Sequence, residues 1–463
     1  MARMDERTAG LYTITLSQFA LVFMLSAVAV AVPALGREFG ASASRLGLVE
    51  SGYISAAAML LLPVTRLAEK IGRGTTFAGG ILLFSLISFI LPQARTIDQF
   101  IVLRVFQGGG GAMMISTGLA ILADLYPGAG RARALGIASA GIYLGLSAGP
   151  WLGGILVTHL GWRWIFYSGA VPCLLGFFLS LKTLPVRPVI VPKVRFDWLG
   201  ALLCALGMIM ISQGGSHLQD ATGILLVVGG LFCLVAFVFW ESHARAPLLD
   251  MSIFSNNPSF SLGSLVQFMS YASTFGVTFL LSLYLQVVQG MTASQAGIIL
   301  MAQPVVQVIF SLVSGNWCER WPAHHVATLG MTIATLGLAA AIPVGHGATL
   351  PHLLTVLILC GAGNAIFATA NTAVIMGAVQ REWYGVASAV VAGARTTGMT
   401  FGLVFISGMF ALIIGPGALD AQAAPLFVRA MHGCFIVLTL IGGLGVALSH
   451  KARLAQKKGS MSR

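Results

Sequence analysis

The chain has 463 residues, of which 57% are hydrophobic and only 9% charged, with a mean hydropathy of +0.90. Soluble domains carry roughly 25% charged residues, so a water-facing globule of this length is excluded and the composition points to an all-α polytopic membrane protein. In such a chain the formal charge of +12 is read first as a topology signal; it does not call for a nucleic-acid partner. The six cysteines are scattered without CxxC spacing, mostly inside apolar runs, which fits small core residues and gives no metal or disulfide framework.

Charged and Gly/Pro punctuation predicts fourteen helices, over 11–33, 46–66, 75–93, 99–124, 135–158, 163–181, 198–216, 222–240, 260–286, 295–317, 326–344, 352–378, 385–413 and 427–449. Each is long enough to cross about 30 Å of hydrocarbon. The first follows the polar stretch MARMDERTAG and lacks a small-residue cleavage site, so it reads as a retained helix and not a signal peptide. The second carries Glu50 a few residues inside its start. The loop after it, TRLAEKIGRG, sets Glu69, Lys70 and Arg73 in alternating sign around Gly72. The fourth opens as LRVFQGGGGA, which places Arg104 and Gln107 inside the span, and closes on Asp124, a partner for Arg73 or Arg131.

The fifth span, GIASAGIYLGLSAGPWLGG, holds six glycines and one proline in nineteen residues. Gly141, Gly145, Gly149 and Gly153 recur every four residues, a slowly winding stripe that lets backbones touch where close packing replaces the hydrophobic effect. With Pro150 removing one hydrogen bond, the spacing predicts a tight, bent contact with another helix. The seventh and eighth spans hold no deep charge and read as packing elements. Arg395 stands alone inside the thirteenth.

An even number of spans puts both ends on one side. That side collects 19 of the 26 basic residues, against Arg37, Arg45, Arg95, Arg163 and Arg429 on the other. The bias predicts cytoplasmic N and C termini and a multi-pass protein of the cell (inner) membrane.

Several stretches resemble the major facilitator superfamily. TRLAEKIGRG is similar to its G-x-L-x-D-R-x-G-R-R loop, with Thr65, Glu69 and Lys70 in place of Gly, Asp and Arg. LRVFQGGGGA resembles its R-x-x-Q-G motif, and Gly136, Gly145, Gly149, Pro150, Gly153 and Gly154 match the antiporter motif G-x8-G-x3-G-P-x2-G-G. GWRWIFYSGAVP, LSLYLQVVQGMTASQAG and GVASAVVAGARTTGMTFG resemble the fourteen-helix drug:proton antiporter branch. The resemblance covers essentially the whole chain. It implies two six-helix bundles of inverted repeats around a central cavity, residues 1–181 and 260–463, joined by a linker (182–259) with two additional helices, and it makes the eleventh or tenth helix, in the other bundle, the expected partner of the glycine-rich fifth.

The resemblance also exposes a departure. Many proton-coupled members carry an acid in the first span, within D-x-x-x-x-N-V-A-L-P; the corresponding stretch here has Met24 and Ala29 at the Asp and Asn positions. Intramembrane charges are costly and mark function by default. Glu50 with Arg104 is therefore the expected proton-coupling pair, with Asp124 in the charge relay, Glu69, Lys70, Gly72 and Arg73 as a cytoplasmic gate loop, and the glycine-rich fifth helix as a gate. Gln18, Gln107, Tyr143, Gln286, Gln303, Asn364, Asn371 and Arg395 are the expected cavity side chains. Asn364 and Asn371 fall two turns apart on one helix face. Rich in amides and without a deep acid, this inventory favours a neutral or anionic amphiphile. The expectation is export of hydrophobic or amphiphilic small molecules by proton antiport, by a monomer without cofactor or metal. The alternatives are an uncoupled facilitator or importer of a metabolite and a lipid translocator. No GxxxxGK[ST], HExxH or intramembrane Ser/His/Asp set supports an enzyme.

Overall fold

The computed structural model describes residues 6–126, 130–184, 196–244, 247–249, 251–255, 257–345, 347–380, 383–415, 417 and 421–461. They contain fourteen helices long and apolar enough to cross a membrane. In chain order these are α1 (Glu6–Phe39), α2 (Ala43–Ile71), α3 (Arg73–Ile90), α4 (Ile97–Leu125), α5 (Gly130–His159), α6 (Arg163–Thr183), α7 (Trp198–Ser216) and α8 (Ala221–Glu241). They continue as α9 (Pro258–Val288), α10 (Ala293–Arg320), α11 (Ala323–Ala341), α12 (Leu350–Gly377), α13 (Tyr384–Ile413) and α14 (Ala424–Met461). The ends of α1 and α14 share one face, the proximal face; the other is the distal face.

Local chemistry sets the boundaries. Thr96 caps α4 by accepting from the Gln99 amide, and Asn257 caps α9 ahead of Pro258. Thr292 and Gln295 form a reciprocal capping box at the start of α10. Two spans read as continuous are in fact interrupted. α9 breaks at Phe275–Gly276 and ends in a π turn, Tyr284–Val288. α10 is divided at Met301, where Pro304 has no amide hydrogen to return to the Leu300 carbonyl.

Helices α1–α6 form one bundle and α9–α14 the other, and the packing repeats with a shift of eight helices. α1 packs on α5 and α6 as α9 packs on α13 and α14; α2 packs on α4 as α10 packs on α12; α3 packs on α4 and α6 as α11 packs on α12 and α14. The main contacts between bundles, α2 with α13 and α10 with α5, obey the same shift, and α1 meets α9 beside them. The α7–α8 hairpin leans on α2 and α13. It is zipped by glycine, since a Cβ on Gly214 would lie 2.7 Å from the Gly223 carbonyl oxygen. Glu241, one residue past the expected end of the eighth span, is the last residue of α8; it is 2% exposed and accepts the Leu249 amide at 3.0 Å.

The α5 glycines divide their work, which corrects the sequence expectation. The four-step stripe faces α1, within its own bundle. A Cβ on Gly145 would lie 2.5 Å from the Phe19 carbonyl oxygen and one on Gly153 2.8 Å from Ala27 Cβ; Ser26 Oγ donates to the Gly145 carbonyl at 3.3 Å. The stripe winds too slowly to leave that neighbour. The contact with the other bundle is made instead by Pro150 and Gly154. A Cβ on Gly154 would meet the Ala293 carbonyl oxygen at 2.5 Å, and one on Gly297 the Pro150 carbonyl oxygen at 2.0 Å. Gly136 lies in α5, but its surroundings are outside the described residues.

Hydrogen bonds between the bundles gather at the distal end. Ser282 Oγ donates to the Ala29 carbonyl at 2.8 Å, Gln286 Nε2 to the Val30 carbonyl at 3.1 Å, and the Ser294 amide to Thr158 Oγ1 at 3.0 Å. Gly47 of α2 admits Ser407 of α13 so closely that a Cβ there would lie 1.9 Å from the hydroxyl oxygen. The distal end is therefore sealed by backbone contact. On the proximal face, Gly72 joins α2 to α3 at φ +100°, a conformation that favours glycine. Arg73 donates to Asp124 at 2.7 Å, with Arg73 partly buried and Asp124 exposed, and Lys70 is exposed. The Glu69 side chain lies outside the described residues.

Replacing Gly297 with Leu should pry α10 from α5. In a background with cysteines at positions 158 and 294, cross-linking by a short bifunctional reagent should fall several-fold, and an unchanged yield would contradict the seal. Gly145→Val acts within one bundle and should instead lower thermal stability, since overpacking costs about 1–3 kcal/mol; undiminished stability would show that the α1–α5 contact has slack.

Candidate functional site: a cavity between the bundles

Between the bundles lies a cavity of about 360 Å³, lined from α1, α2, α4 and α5 on one side and α9, α10, α12 and α13 on the other. The α9 break places Thr274, Phe275, Thr278 and Phe279 on its wall. Irregular backbone at membrane depth is tolerated where it borders a cavity. The wall is mostly apolar, with a belt of polar groups: Ser26, Glu50, Tyr143, Tyr271, Gln303, Gln307, Asn364 and Arg395.

Four of the eight side chains expected here, Tyr143, Gln303, Asn364 and Arg395, line the cavity. Gln303 accepts from Thr278 Oγ1 at 3.0 Å. Asn364 Oδ1 is buried without a hydrogen-bond partner among the described residues, as is Arg395 Nε. The Arg395 guanidinium interacts with the Tyr271 hydroxyl, which also feels Tyr143 across the gap between bundles.

The other four tie helices together. Gln18 Nε2 donates to the Met114 carbonyl at 3.2 Å, binding α1 to α4. Gln286 belongs to the distal seal. Asn371 Nδ2 reaches the Gly263 carbonyl at 3.0 Å and Gln267 Oε1 at 2.8 Å, so the shared face with Asn364 serves a cavity at one level and an α9–α12 clamp two turns away. Gln107 serves Arg104.

Arg104 is 0% exposed and does not line the cavity. Its Nε donates to the Val49 carbonyl at 3.1 Å and Nη1 to Gln107 Oε1 at 2.5 Å; Gln107 Nε2 in turn donates to Ser88 Oγ at 2.7 Å and touches Met24 Sδ at 3.9 Å. The guanidinium lies 4.4 Å from the centroid of the Tyr53 ring, a cation–π contact. Nη2 has no partner among the described residues. A continuous run of small residues makes this possible: a Cβ on Gly108 would sit 2.2 Å from the Tyr53 carbonyl oxygen, and one on Gly110 2.8 Å from the Phe84 amide. α4 is thereby held between α2 and α3.

Glu50 follows Val49 directly, is 3% exposed and borders the cavity. Its Oε1 is buried without a hydrogen-bond partner among the described residues. Glu50 and Arg104 feel each other's charge yet make no salt bridge. The link is indirect, through the Val49 carbonyl. The level of each charge follows from the Gly47–Ser407 contact. Glu50 is three residues along α2 and Arg395 twelve back along α13, about 4 and 18 Å at 1.5 Å per residue. Acid and base are thus separated by about 13 Å along the axis, one from each bundle.

Sequence reasoning passed over Ser26, Thr274 and Thr278, which the α1–α5 contact and the α9 break turn toward the cavity. It also passed over Tyr53, one helical turn beyond Glu50 and hence on its face. Only the Glu50–Tyr53 spacing was available to find it.

The chain resembles known transporters throughout. The riboflavin transporter RibZ of Clostridioides difficile is 24% identical over 409 residues, 88% of this chain and 89% of that one. The cephamycin export protein CmcT of Amycolatopsis lactamdurans is 29% identical over 464 residues, 98% of this chain and 94% of that one. A crystal structure of the peptide transporter POT shares the fold with a TM-score of 0.71 at 15% identity, over 97% of this chain and 99% of that one. The Major Facilitator Superfamily model matches residues 14–262 and 263–460. With fourteen helices long and apolar enough to cross a membrane among the described residues, six in each of two eight-shifted bundles around a cavity, the chain is a multi-pass cell-membrane transporter and not an enzyme, and it belongs to the Major Facilitator Superfamily.

Proposed function

We propose that this transporter exports hydrophobic or amphiphilic small molecules by alternating access in exchange for protons, with both termini in the cytoplasm. The observation that carries the reading is Glu50: it is the acid among the cavity-lining residues, buried, half unpartnered and backed by Arg104. A carboxyl so placed gains or loses its proton according to which solution the cavity meets, and burial of its charged form is costly unless compensated. Arg104 grips the carbonyl of the preceding residue, so a change at Glu50 is transmitted to the α2–α4 contact rather than neutralised on the spot. A predominantly apolar wall with a few placed polar groups suits an amphiphile, and the similarity to an antibiotic exporter agrees with the outward direction. In this reading Arg73 and Asp124 bias the proximal gate, and the α5–α10 contact closes the distal one. The two bundles that alternate in this reading are residues 1–181 and 260–463.

A second reading, uncoupled facilitation or import of a metabolite, is favoured by Met24, which fills the first-span position where coupled relatives of the resemblance carry an acid. It is filled tightly: a Cβ on Gly169 would lie 2.4 Å from Met24 Cγ.

Reconstituted in proteoliposomes with an imposed pH gradient, the protein should move a fluorescent amphiphile faster against an acidic trans side, and flux indifferent to the gradient favours the second reading. Glu50→Gln should abolish the gradient dependence while flux down the substrate gradient persists; retained dependence would remove Glu50 from the coupling role. Arg104→Lys keeps the charge but cannot reach the Val49 carbonyl and Gln107 together. It should cut coupled transport by about tenfold, the order of one lost charge-assisted hydrogen bond, and full activity would show the fork to be dispensable.

A further inference from the structure

We infer that the cavity holds an anion anchor at Arg395, and that the favoured substrates are amphiphiles bearing a single carboxylate or similarly planar acid on an apolar body. The inference rests on the export reading for its biological sense, but it concerns binding and can be tested without it.

Three features of the cavity lead there. First, Arg395 is the cation among the lining residues, because Arg104 is sequestered behind Tyr53 and saturated on two of its three nitrogens by Val49 and Gln107. Second, Arg395 makes no salt bridge among the described residues, and its Nε is buried without a partner. Its neighbour is the Tyr271 hydroxyl, with Tyr143 close by on the opposite bundle. A guanidinium beside one phenol and without a carboxylate partner presents donors in one plane, the geometry that a bidentate acid fits. Asn364, from a third helix, adds a buried carbonyl oxygen with no donor of its own, so a hydrogen-bond donor beside the acid is accommodated as well. Third, the nearest acid on the wall, Glu50, lies about 13 Å further along the axis. The anchor and the acid are thus at different levels, with apolar wall between them to receive the body of the molecule.

A half-buried guanidinium with no ion-pair partner among the described residues and with its Nε withdrawn from solvent gains from a ligand acid a charge-assisted hydrogen-bonded pair that the ester cannot supply. The same argument disfavours a permanent cation at this level, which would meet Arg395 without an intervening acid.

The test uses the full-length transporter in lipid nanodiscs and a matched pair of probes, a dansylated fatty acid and its methyl ester, with binding followed by the dansyl fluorescence. The wild-type protein should prefer the acid over the ester by about tenfold or more, the order of one charge-assisted hydrogen-bonded pair. Arg395→Gln should bring that ratio close to one, and Arg395→Lys should restore part of it. Equal affinities for acid and ester in the wild type, or a preference that survives Arg395→Gln, would overturn the anchor. If the glutamine variant fails to fold, the lysine variant and the wild-type ratio still decide, since a wild-type ratio near one overturns the proposal alone. Transport of the same pair in proteoliposomes separates the two readings. An acid preference in binding without outward transport of either probe leaves the anchor standing and defeats export; outward transport of both at equal rates and equal affinities does the reverse.

Discussion

The fold depends on how closely two helices can approach in a solvent that offers no hydrophobic effect between them. In lipid, association rests on van der Waals contact and interhelical hydrogen bonds, and both require backbones to touch. Here they touch through glycine. The α5 stripe seats α1, the α4 run seats α2 and α3, and Gly297 admits the Pro150 carbonyl across the boundary between bundles. A methyl group at Gly108, Gly110, Gly145 or Gly297 meets backbone atoms that cannot swing aside. The glycines therefore weaken individual helices, each by about 1 kcal/mol against alanine, in exchange for contacts that no larger residue permits.

The two kinds of glycine contact have different consequences. Those inside a bundle hold its helices at backbone contact. Those between bundles gather with three hydrogen bonds at the distal end and can be broken together. Cavity and seal are consequences of the same eight-helix repeat, which supplies α2 against α13 and α10 against α5 as equivalent pairs. Charge follows a similar division. Arg104 is locked into the first bundle by bonds to Val49 and Gln107, whereas Glu50 and Arg395 face the space between bundles, where their surroundings change with its opening.

Much of this was legible in the sequence. Composition and apolar run length gave the fourteen spans, because lipid demands about twenty apolar residues per crossing, and Arg104, Glu50 and Arg395 stood out because charges are rare there. The four-residue spacing of Gly141 to Gly153 announced a close contact but not its partner: spacing defines a stripe on one helix, and α1 and α10 both border α5. The uncharged polar residues were hardest to place. Gln18, Gln286 and Asn371 have the same chemistry as Gln303 and Asn364, and only the neighbouring helix decides whether an amide meets a carbonyl or a cavity. The breaks in α9 and α10 were masked by uninterrupted hydropathy, although Pro304 was a visible sign of the second.

The central claim is that two rigid bundles rock about the cavity so that the distal seal and the proximal opening alternate. Distances measured by double electron–electron resonance between spin labels on the loops flanking α5 and α10 at the distal face, and on the proximal ends of α4 and α12, test it most directly. On imposing a proton gradient or adding a transported amphiphile, the distal distance should lengthen as the proximal one shortens, with distances inside each bundle unchanged. Two faces that move together, or bundles that deform internally while the seal stays closed, would contradict the account.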